Sequence, residues 1–183
     1  MRVIAGKYRS RRLRSLPGMD VRPSSDRLRE TLFDILAAGD PAALEGSVWV
    51  DLYAGSGAVG IEALSRGAAR VYFVESSAKA VTLIRQNLKS LGAEAQVLQQ
   101  EVGRALRSLN FAADYVFLDP PYRMQPEYAR TLEGLQASAL VAEQTVVVAE
   151  HHKKFDPGEE FRGLRRARKL VQGDAALSFY RKG

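Results

Sequence analysis

Cysteine is absent from the sequence, and histidine occurs only twice. Without a thiol the chain can form neither a disulfide framework nor a thiolate metal site. The two histidines, His151 and His152, are adjacent in the sequence, so in a regular strand they would point to opposite faces of the sheet. We therefore expect that the protein holds no metal ion.

Long apolar runs are also missing. No segment approaches the roughly 20 consecutive apolar residues that a membrane-spanning helix needs. The N-terminal sequence MRVIAGKYRSRRLR is basic but lacks the apolar stretch of a signal peptide. These features predict a cytoplasmic protein that does not associate with membranes. Hydrophobic residues make up 46% of the 183 residues, which is enough for the core of one domain.

Positive charge is in excess and is unevenly distributed. The formal net charge is +6, and residues 1–14 contain six basic residues and no acidic one. Residues 162–169 contain five basic residues, again without an acid. Clustered cations favour a polyanionic partner because binding releases condensed counterions. A solvated basic surface is the alternative, and charge alone leaves both interpretations open.

Apolar segments that alternate with Gly and Pro breaks predict a repeating order of strands and helices. Residues 2–16 alternate weakly, as in a hairpin, and a helix is predicted over DRLRETLFDIL after them. A second hairpin is predicted around Gly173-Asp174, near the end of the sequence. Alternating strands and helices indicate a parallel sheet covered on both faces, with ligands beyond the carboxyl ends of the strands. The predicted strands between the hairpins are SVWVDLY, RVYFVE, AQVLQ, DYVFLD and TVVVAEH.

A glycine-rich segment, DLYAGSGAVG, follows the first predicted strand and opens a helix. It fits the GxGxxG pattern of dinucleotide-binding proteins, so an NAD-dependent dehydrogenase is one interpretation. Asp51 argues against it, because a carboxylate four residues before Gly55 would repel a pyrophosphate. The same carboxylate suits the cationic amino acid part of S-adenosylmethionine. A tight packing turn without a ligand is the third possibility.

Acidic residues also follow the next two predicted strands. Glu75 ends RVYFVE, and its carboxylate is suited to accept hydrogen bonds from the two hydroxyls of a ribose. Glu101 follows AQVLQ, where it could accept from the amino group of adenine. Either residue could instead be a solvated acid at the end of a strand. The acids Asp51, Glu75 and Asp119 should meet at one edge of the sheet.

The most specific motif is Asp119-Pro120-Pro121-Tyr122, which follows the fourth predicted strand. Two prolines restrict the backbone and remove its donors. The Asp119 carboxylate and the Pro120 carbonyl then form two acceptors that match the two hydrogens of an exocyclic amino group, and Tyr122 offers a ring on which a base can stack. We predict these four residues as the catalytic motif; a rigid loop that caps the sheet is the alternative.

Together these motifs resemble an amino-methylating class I methyltransferase. The N-terminal segments RVIAGKYRSRRL and VRPSSDRLRETLFDIL are similar to the bacterial RsmD family, which methylates N2 of a guanine in 16S ribosomal RNA. The resemblance implies an α/β Rossmann-like fold with a seven-stranded, mostly parallel sheet whose last strand is antiparallel. It also implies a small β-hairpin extension over residues 1–20 that binds RNA, before a methyltransferase domain over residues 21–183.

The resemblance further implies roles for individual residues. Asp51 and the loop after it would hold the methionine part of S-adenosylmethionine, Glu75 its ribose, and Glu101 with Val102 its adenine. The basic N-terminal segment and the stretch Arg22–Arg29 would contact RNA. The full cofactor set is Asp51, Tyr53, Ala54, Gly55, Ser56, Gly57, Glu75, Ser76, Glu101, Val102 and Asp119. The RNA-binding set is Arg2, Lys7, Arg9, Arg11, Arg12, Arg22 and Arg27.

The sequence departs from the family pattern at two positions. Ser24 stands where the family usually has Thr, which keeps the hydroxyl, and Glu101 stands where Asp or Asn is frequent. The resemblance implies 16S ribosomal RNA within a small-subunit particle as the partner, and we expect a monomer. The rival functions are methylation of adenine N6 in RNA or DNA, methylation of a glutamine side chain in a protein, and a non-catalytic role as an RNA-binding assembly factor.

Overall fold

A computed structural model describes residues 1–15, 23–121 and 123–183 of the chain. Within these ranges, five helices and eight strands form one α/β unit around a single sheet. The helices are α1 (Pro23–Leu36), α2 (Ala58–Ser65), α3 (Ala78–Leu91), α4 (Val102–Ser108) and α5 (Gln125–Gln136). The strands are β1 (Val48–Leu52), β2 (Arg70–Glu75), β3 (Gln96–Gln99), β4 (Tyr115–Leu118), β5 (Val146–His152), β6 (Glu160–Phe161), β7 (Leu164–Gln172) and β8 (Ala175–Lys182).

The strands lie in the order β3-β2-β1-β4-β5-β8-β7-β6. Strands β1 to β5 are parallel, whereas β8 pairs antiparallel with both β5 and β7. The strand order reverses between β1 and β4, and such a switch point opens a crevice at the carboxyl ends of the strands. The predicted Rossmann-like fold, with its antiparallel last strand, is confirmed.

One strand is additional to the seven that were predicted. Glu160 and Phe161 form β6, which pairs antiparallel with the start of β7. Arg162 and Gly163 connect the two strands with φ values of 49° and 96°. Positive φ at both central residues is typical of a two-residue type I′ hairpin turn. A strand of only two residues leaves no alternation in the sequence that could reveal it.

Side chains of the strands alternate between two hydrophobic clusters, one on each face of the sheet. Trp49 of β1 packs with Phe33 of α1 in a cluster that also includes residues of α2 and α3. Val50 and Leu52 belong to the opposite cluster, which is covered by α4 and α5. Asp51 follows the alternation of Trp49, so its side chain points toward the face that carries α2.

The predicted N-terminal hairpin is present in a short form. Arg2 and Arg12 form an isolated antiparallel bridge, and the amide of Val3 donates to the carbonyl of Arg11 at 2.9 Å. Val3 and Leu13 are buried in the same cluster as Trp49, so residues 1–15 pack against the body of the protein. The predicted domain boundary between residues 20 and 21 lies outside the described residues.

A buried carboxylate anchors this N-terminal segment. Glu62 of α2 is fully buried, and it accepts hydrogen bonds from the amides of Ile4 at 2.8 Å and Ala5 at 3.0 Å. The guanidinium of Arg66 contacts the same carboxylate at 2.8 Å, and that of Arg29 lies 3.7 Å away. Arg29 also donates to the carbonyl of Arg2 at 2.6 Å, so α1 and α2 hold the segment from both sides.

No helix in the described part of the chain combines the length and the hydropathy needed to cross a membrane.

Replacement of Glu62 by Ala should strongly destabilise the fold. The substitution removes the carboxylate that faces the buried guanidinium of Arg29. Removing one partner of a buried ion pair typically lowers the free energy of unfolding by about 3–5 kcal/mol. Glu62→Gln keeps the shape and one acceptor, so it should cost less. Urea denaturation would measure both variants; a Glu62→Ala midpoint equal to that of the wild type would contradict the anchoring role.

Candidate active site

A cavity of about 600 Å³ opens at the carboxyl ends of β1, β2 and β4. This volume lies in the range typical of cofactor and small-molecule sites. Nine of the residues predicted to hold a cofactor line the cavity, together with Pro120 and Pro121 of the predicted catalytic motif. The nine are Asp51, Tyr53, Ala54, Gly55, Ser56, Glu75, Ser76, Glu101 and Asp119.

The other two predicted cofactor residues, Gly57 and Val102, lie outside the lining of the cavity. Gly57 is the N-cap of α2 with φ of 77°, and a Cβ there would meet the ring of Phe73 at 3.2 Å. Val102 begins α4 and is buried in the hydrophobic cluster on the far face of the sheet. Gly57 therefore packs against one face of the sheet and Val102 against the other, and a contact of either residue with a cofactor stays a prediction.

The glycine-rich loop combines a ligand-facing part with a packing part. Tyr53 and Gly55 both adopt positive φ, 58° and 54°, and both line the cavity. Gly60 serves packing instead, because a Cβ there would lie 2.3 Å from the ring of Phe73 on β2. The GxGxxG spacing thus reflects a close approach of α2 to the sheet as well as the course of the loop.

Asp51 is 2% exposed and lies at the end of β1. Its carboxylate accepts one hydrogen bond from the amide of Gly60 at 2.9 Å. Burial raises the pKa of Asp51 from 3.8 to about 8; the Gly60 amide lowers this pKa, and the negative charge of Glu75 raises it. A cation placed at this wall of the cavity would stabilise the ionised form of Asp51.

Glu75 joins the end of β2 to the glycine-rich loop. One carboxylate oxygen accepts from the amide of Gly55 at 2.9 Å, and the other accepts from the amide of Ser77 at 2.8 Å. Each oxygen has a second lone pair, so the fixed carboxylate can also accept from a ligand in the cavity. The position of this acid is therefore set before any ligand binds.

The cavity is strongly acidic. Six acidic residues and one basic residue, Arg29, line it in the described part of the chain. Arg29 is itself held by Asp26 at 2.9 Å, so its charge is largely compensated. Such a lining repels a pyrophosphate and attracts a cation, which argues against the NAD interpretation. The six acids are Asp51, Glu75, Glu101, Asp119, Glu127 and Glu150.

The Asp119-Pro120-Pro121 segment forms another wall of the cavity, after β4. The hydroxyl of the buried Tyr128 on α5 donates to the carbonyl of Glu150 at 2.8 Å and lies 3.4 Å from the carbonyl of Pro120. Tyr128 thus links the loop after β4 to the end of β5. Tyr122, the fourth predicted catalytic residue, lies outside the described residues.

Several residues of the site were missed from the sequence. Glu150 lies two residues before the end of β5 and lines the cavity, and an acid near the end of a predicted strand is a signal of the same kind as Glu75. Met124 is 46% exposed and also lines the cavity. Met1 lines it as well, with its sulfur 3.8 Å from the Ser56 hydroxyl. No local sequence pattern could have placed Met1 there.

Of the residues predicted to contact RNA that the structure describes, only Arg29 of the stretch Arg22–Arg29 lines the cavity. Arg22 falls outside the described residues, and Arg27 is exposed on α1. Arg29 differs from them, because it is buried against Glu62 at the wall of the cavity; contact of the stretch Arg22–Arg29 with RNA stays a prediction. The remaining residues are all exposed on the N-terminal segment: Arg2, Lys7, Arg9, Arg11 and Arg12.

No group of three or more His, Asp or Glu side chains in the described ranges is arranged to hold a metal ion.

Comparisons with known proteins identify the family. The family model described as conserved hypothetical protein 95 matches residues 1–181. Ribosomal RNA small subunit methyltransferase D of Escherichia coli (strain K12) is 33% identical over 151 residues, which cover 82% of this chain and 74% of that relative. The chain belongs to the RsmD family.

Solved structures share the fold of this RsmD-family chain. The structure of the Escherichia coli protein yhhF has a TM-score of 0.83 and 29% identity, and the match covers 100% of this chain and 97% of that protein. Magnesium protoporphyrin IX methyltransferase from Synechocystis PCC 6803, solved with bound S-adenosylmethionine, has a TM-score of 0.69 at 16% identity, with 90% and 83% of the two chains covered. The second likeness shows a common fold.

Replacement of Asp51 by Asn should stabilise the RsmD-family fold in alkaline solution. Because the pKa of Asp51 rises from 3.8 to about 8 on folding, this group destabilises the fold progressively as pH rises from about 4 to 8. Asn keeps an acceptor for the Gly60 amide and carries no charge. The melting temperature of Asp51→Asn should therefore exceed that of the wild type at pH 8.5, and the difference should shrink toward pH 5. A difference that does not depend on pH would contradict the buried-charge assignment.

Proposed function

We propose that this chain is an S-adenosylmethionine-dependent methyltransferase that acts on the exocyclic N2 of a guanine in 16S ribosomal RNA. The observation that carries the proposal is the position of Asp119 and Pro120 on the wall of an acidic cavity at the switch point of the sheet. The relative named ribosomal RNA small subunit methyltransferase D supports the RNA substrate. The choice of guanine follows the resemblance of the N-terminal segment to the RsmD family.

The cavity fits S-adenosylmethionine by the chemistry of its donor set. This cofactor carries an ammonium and a sulfonium and has no phosphate, which matches a lining with six acids. Asp51 and the loop Tyr53–Gly57 would hold the methionine part, Glu75 with Ser76 the ribose, and Glu101 with Val102 the adenine. When bound, the cofactor supplies an electrophilic methyl group. The bound cofactor in the Synechocystis methyltransferase of the same fold supports this choice.

Asp119 and Pro120 would hold the acceptor. The Asp119 carboxylate and the Pro120 carbonyl each accept one hydrogen of the amino group, which fixes the nitrogen and favours its pyramidal form as positive charge develops. Asp119 can then receive the proton that the alkylated nitrogen releases. The hydroxyl of Tyr128 lies 3.4 Å from the Pro120 carbonyl oxygen and helps to hold that carbonyl in place. Tyr122 remains a prediction as the ring on which the base stacks.

The N-terminal segment would bind the RNA backbone. Its exposed cations, Arg2, Lys7, Arg9, Arg11 and Arg12, carry the positive charge that phosphates attract; Arg22 and Arg27 extend this set. Because Met1 and Ser15 line the cavity, the segment leads from the surface to the site of reaction. We infer that the enzyme acts as a cytoplasmic monomer on RNA within a small-subunit particle.

Asp119→Ala should lose most methyl transfer while it keeps the fold. Removal of a preorganised polar contact to the reacting centre typically lowers the rate about 100- to 1,000-fold. Purified enzyme, S-adenosylmethionine and small-subunit particles would be incubated, and the modified nucleosides of their RNA would be measured by mass spectrometry. Asp34→Ala, at an exposed carboxylate on α1, is the matched control and should retain wild-type activity.

The nucleoside that accumulates decides the acceptor. N2-methylguanosine supports the proposal. N6-methyladenosine would overturn the choice of guanine and keep the amino-methylating chemistry. Methylated protein without methylated RNA, or full activity in Asp119→Ala, would overturn the proposed function.

A further inference from the structure

Helix α3 carries a set of cations that face solvent beside the N-terminal segment. Lys79, Arg85 and Lys89 are exposed, and the helix contains no acidic residue. The spacing of four residues places Arg85 and Lys89 on one face of the helix, whereas Lys79, six residues before Arg85, lies about 120° from Arg85 around the helix axis. At 1.5 Å of rise per residue, Lys79 and Lys89 are about 15 Å apart along the helix axis.

Direct contacts join this face to the N-terminal segment. The guanidinium of Arg11 donates to the carbonyl of Ser90 at 2.7 Å. The amide of Arg14 donates to the side chain of Asn87 at 2.9 Å, and its guanidinium donates to Gln86 at 3.2 Å. The second half of the segment therefore lies along α3. We call the resulting set the α3 basic surface: Arg11, Arg14, Lys79, Arg85 and Lys89.

The cations of the α3 basic surface are largely unpaired among the described residues, although Glu94 lines the same shallow depression as Arg85 and Lys89. None of its five cations forms an ion pair with any residue that the structure describes. The basic cluster of residues 162–169 differs in this respect, because several of its cations are paired with nearby acids. Arg165 lies 3.4 Å from Glu160, Arg166 lies 2.6 Å from Asp156, and Lys169 lies 2.8 Å from the same acid.

The α3 basic surface begins beside the cavity. Ser76 and Ser77 line the cavity and directly precede α3, so Lys79 lies within the first turn after the cavity wall. The surface then leads away from the cavity toward the end of the helix at Leu91. A polyanion whose reacting group occupies the cavity can therefore extend from Lys79 toward Arg85 and Lys89.

We propose that the α3 basic surface binds the phosphates of the RNA strand that flanks the target base. This proposal rests on the proposed function for the identity of the polyanion. It extends the RNA contact from the N-terminal segment to a helix that the sequence interpretation did not include. A basic residue at the C-terminal end of a helix also interacts favourably with the helix dipole. Arg11 and Lys89 therefore also stabilise the helix, and the test must separate this role from phosphate binding.

The test compares two double variants with equal changes in charge. Arg85→Gln/Lys89→Gln removes two cations from α3, where Gln is almost as good a helix former as Arg or Lys. Arg168→Gln/Arg181→Gln removes two exposed cations from the strands β7 and β8 and is the matched control. Binding of small-subunit particles that carry unmethylated 16S ribosomal RNA would be titrated over a range of salt concentrations, with circular dichroism to check the fold of each variant.

The α3 variant should bind RNA about tenfold more weakly and show a shallower dependence of log K on log salt. The loss of two phosphate contacts lowers this slope by roughly 1.4 to 1.8. The control should keep the slope of the wild type. Equal losses in both variants would show a general effect of net charge and overturn the proposal, as would an α3 variant with a changed melting temperature and an unchanged slope.

Methyl transfer by the wild type is measured in parallel and separates the two proposals. If the wild type leaves the RNA unmethylated while the α3 variant shows the shallower salt dependence, the proposed function is overturned and RNA binding by the α3 basic surface is supported. If the wild type methylates the RNA and the α3 variant keeps the slope of the wild type, RNA binding by the α3 basic surface is overturned and the proposed function is supported. A wild type that does not bind the small-subunit particles would overturn both proposals.

Discussion

The buried carboxylate of Asp51 is the constraint on which the chemistry of the cavity depends. It lies near the end of a central strand and accepts a hydrogen bond from the amide of Gly60. It has no cationic partner among the described residues. Burial of an ionised group without a partner is unfavourable, which is why the pKa of Asp51 rises to about 8. The ionised form of Asp51 therefore destabilises the protein on its own, and a cation that enters the cavity would stabilise it.

Helix α2 connects this constraint to the N-terminal segment. Its first turn presents the Gly60 amide to Asp51, and its second half binds residues 4–8 through Glu62 and Ser65. Gly6 fits against the carbonyl of Ser65 so closely that a Cβ there would overlap it. One helix of eight residues therefore fixes both the loop at the cavity and the basic segment on the surface.

Much of the site could be predicted because it depends on local patterns. Acids at the carboxyl ends of parallel strands meet at one edge of a sheet, so the sequence alone predicts that Asp51, Glu75 and Asp119 lie together. Contacts between distant residues could not be predicted. The pair of Arg29 and Glu62 joins residues from different helices, and nothing in the sequence near Arg29 distinguishes it from an exposed, RNA-binding arginine.

Calorimetric titration of the purified protein with S-adenosylmethionine and with NAD tests the central claim, that an acidic cavity at the switch point is built for a cationic cofactor. We predict saturable binding of S-adenosylmethionine at one site, weaker binding in Asp51→Asn, and no binding of NAD. Binding of NAD in place of S-adenosylmethionine, or an Asp51→Asn variant with the affinity of the wild type, would contradict the account.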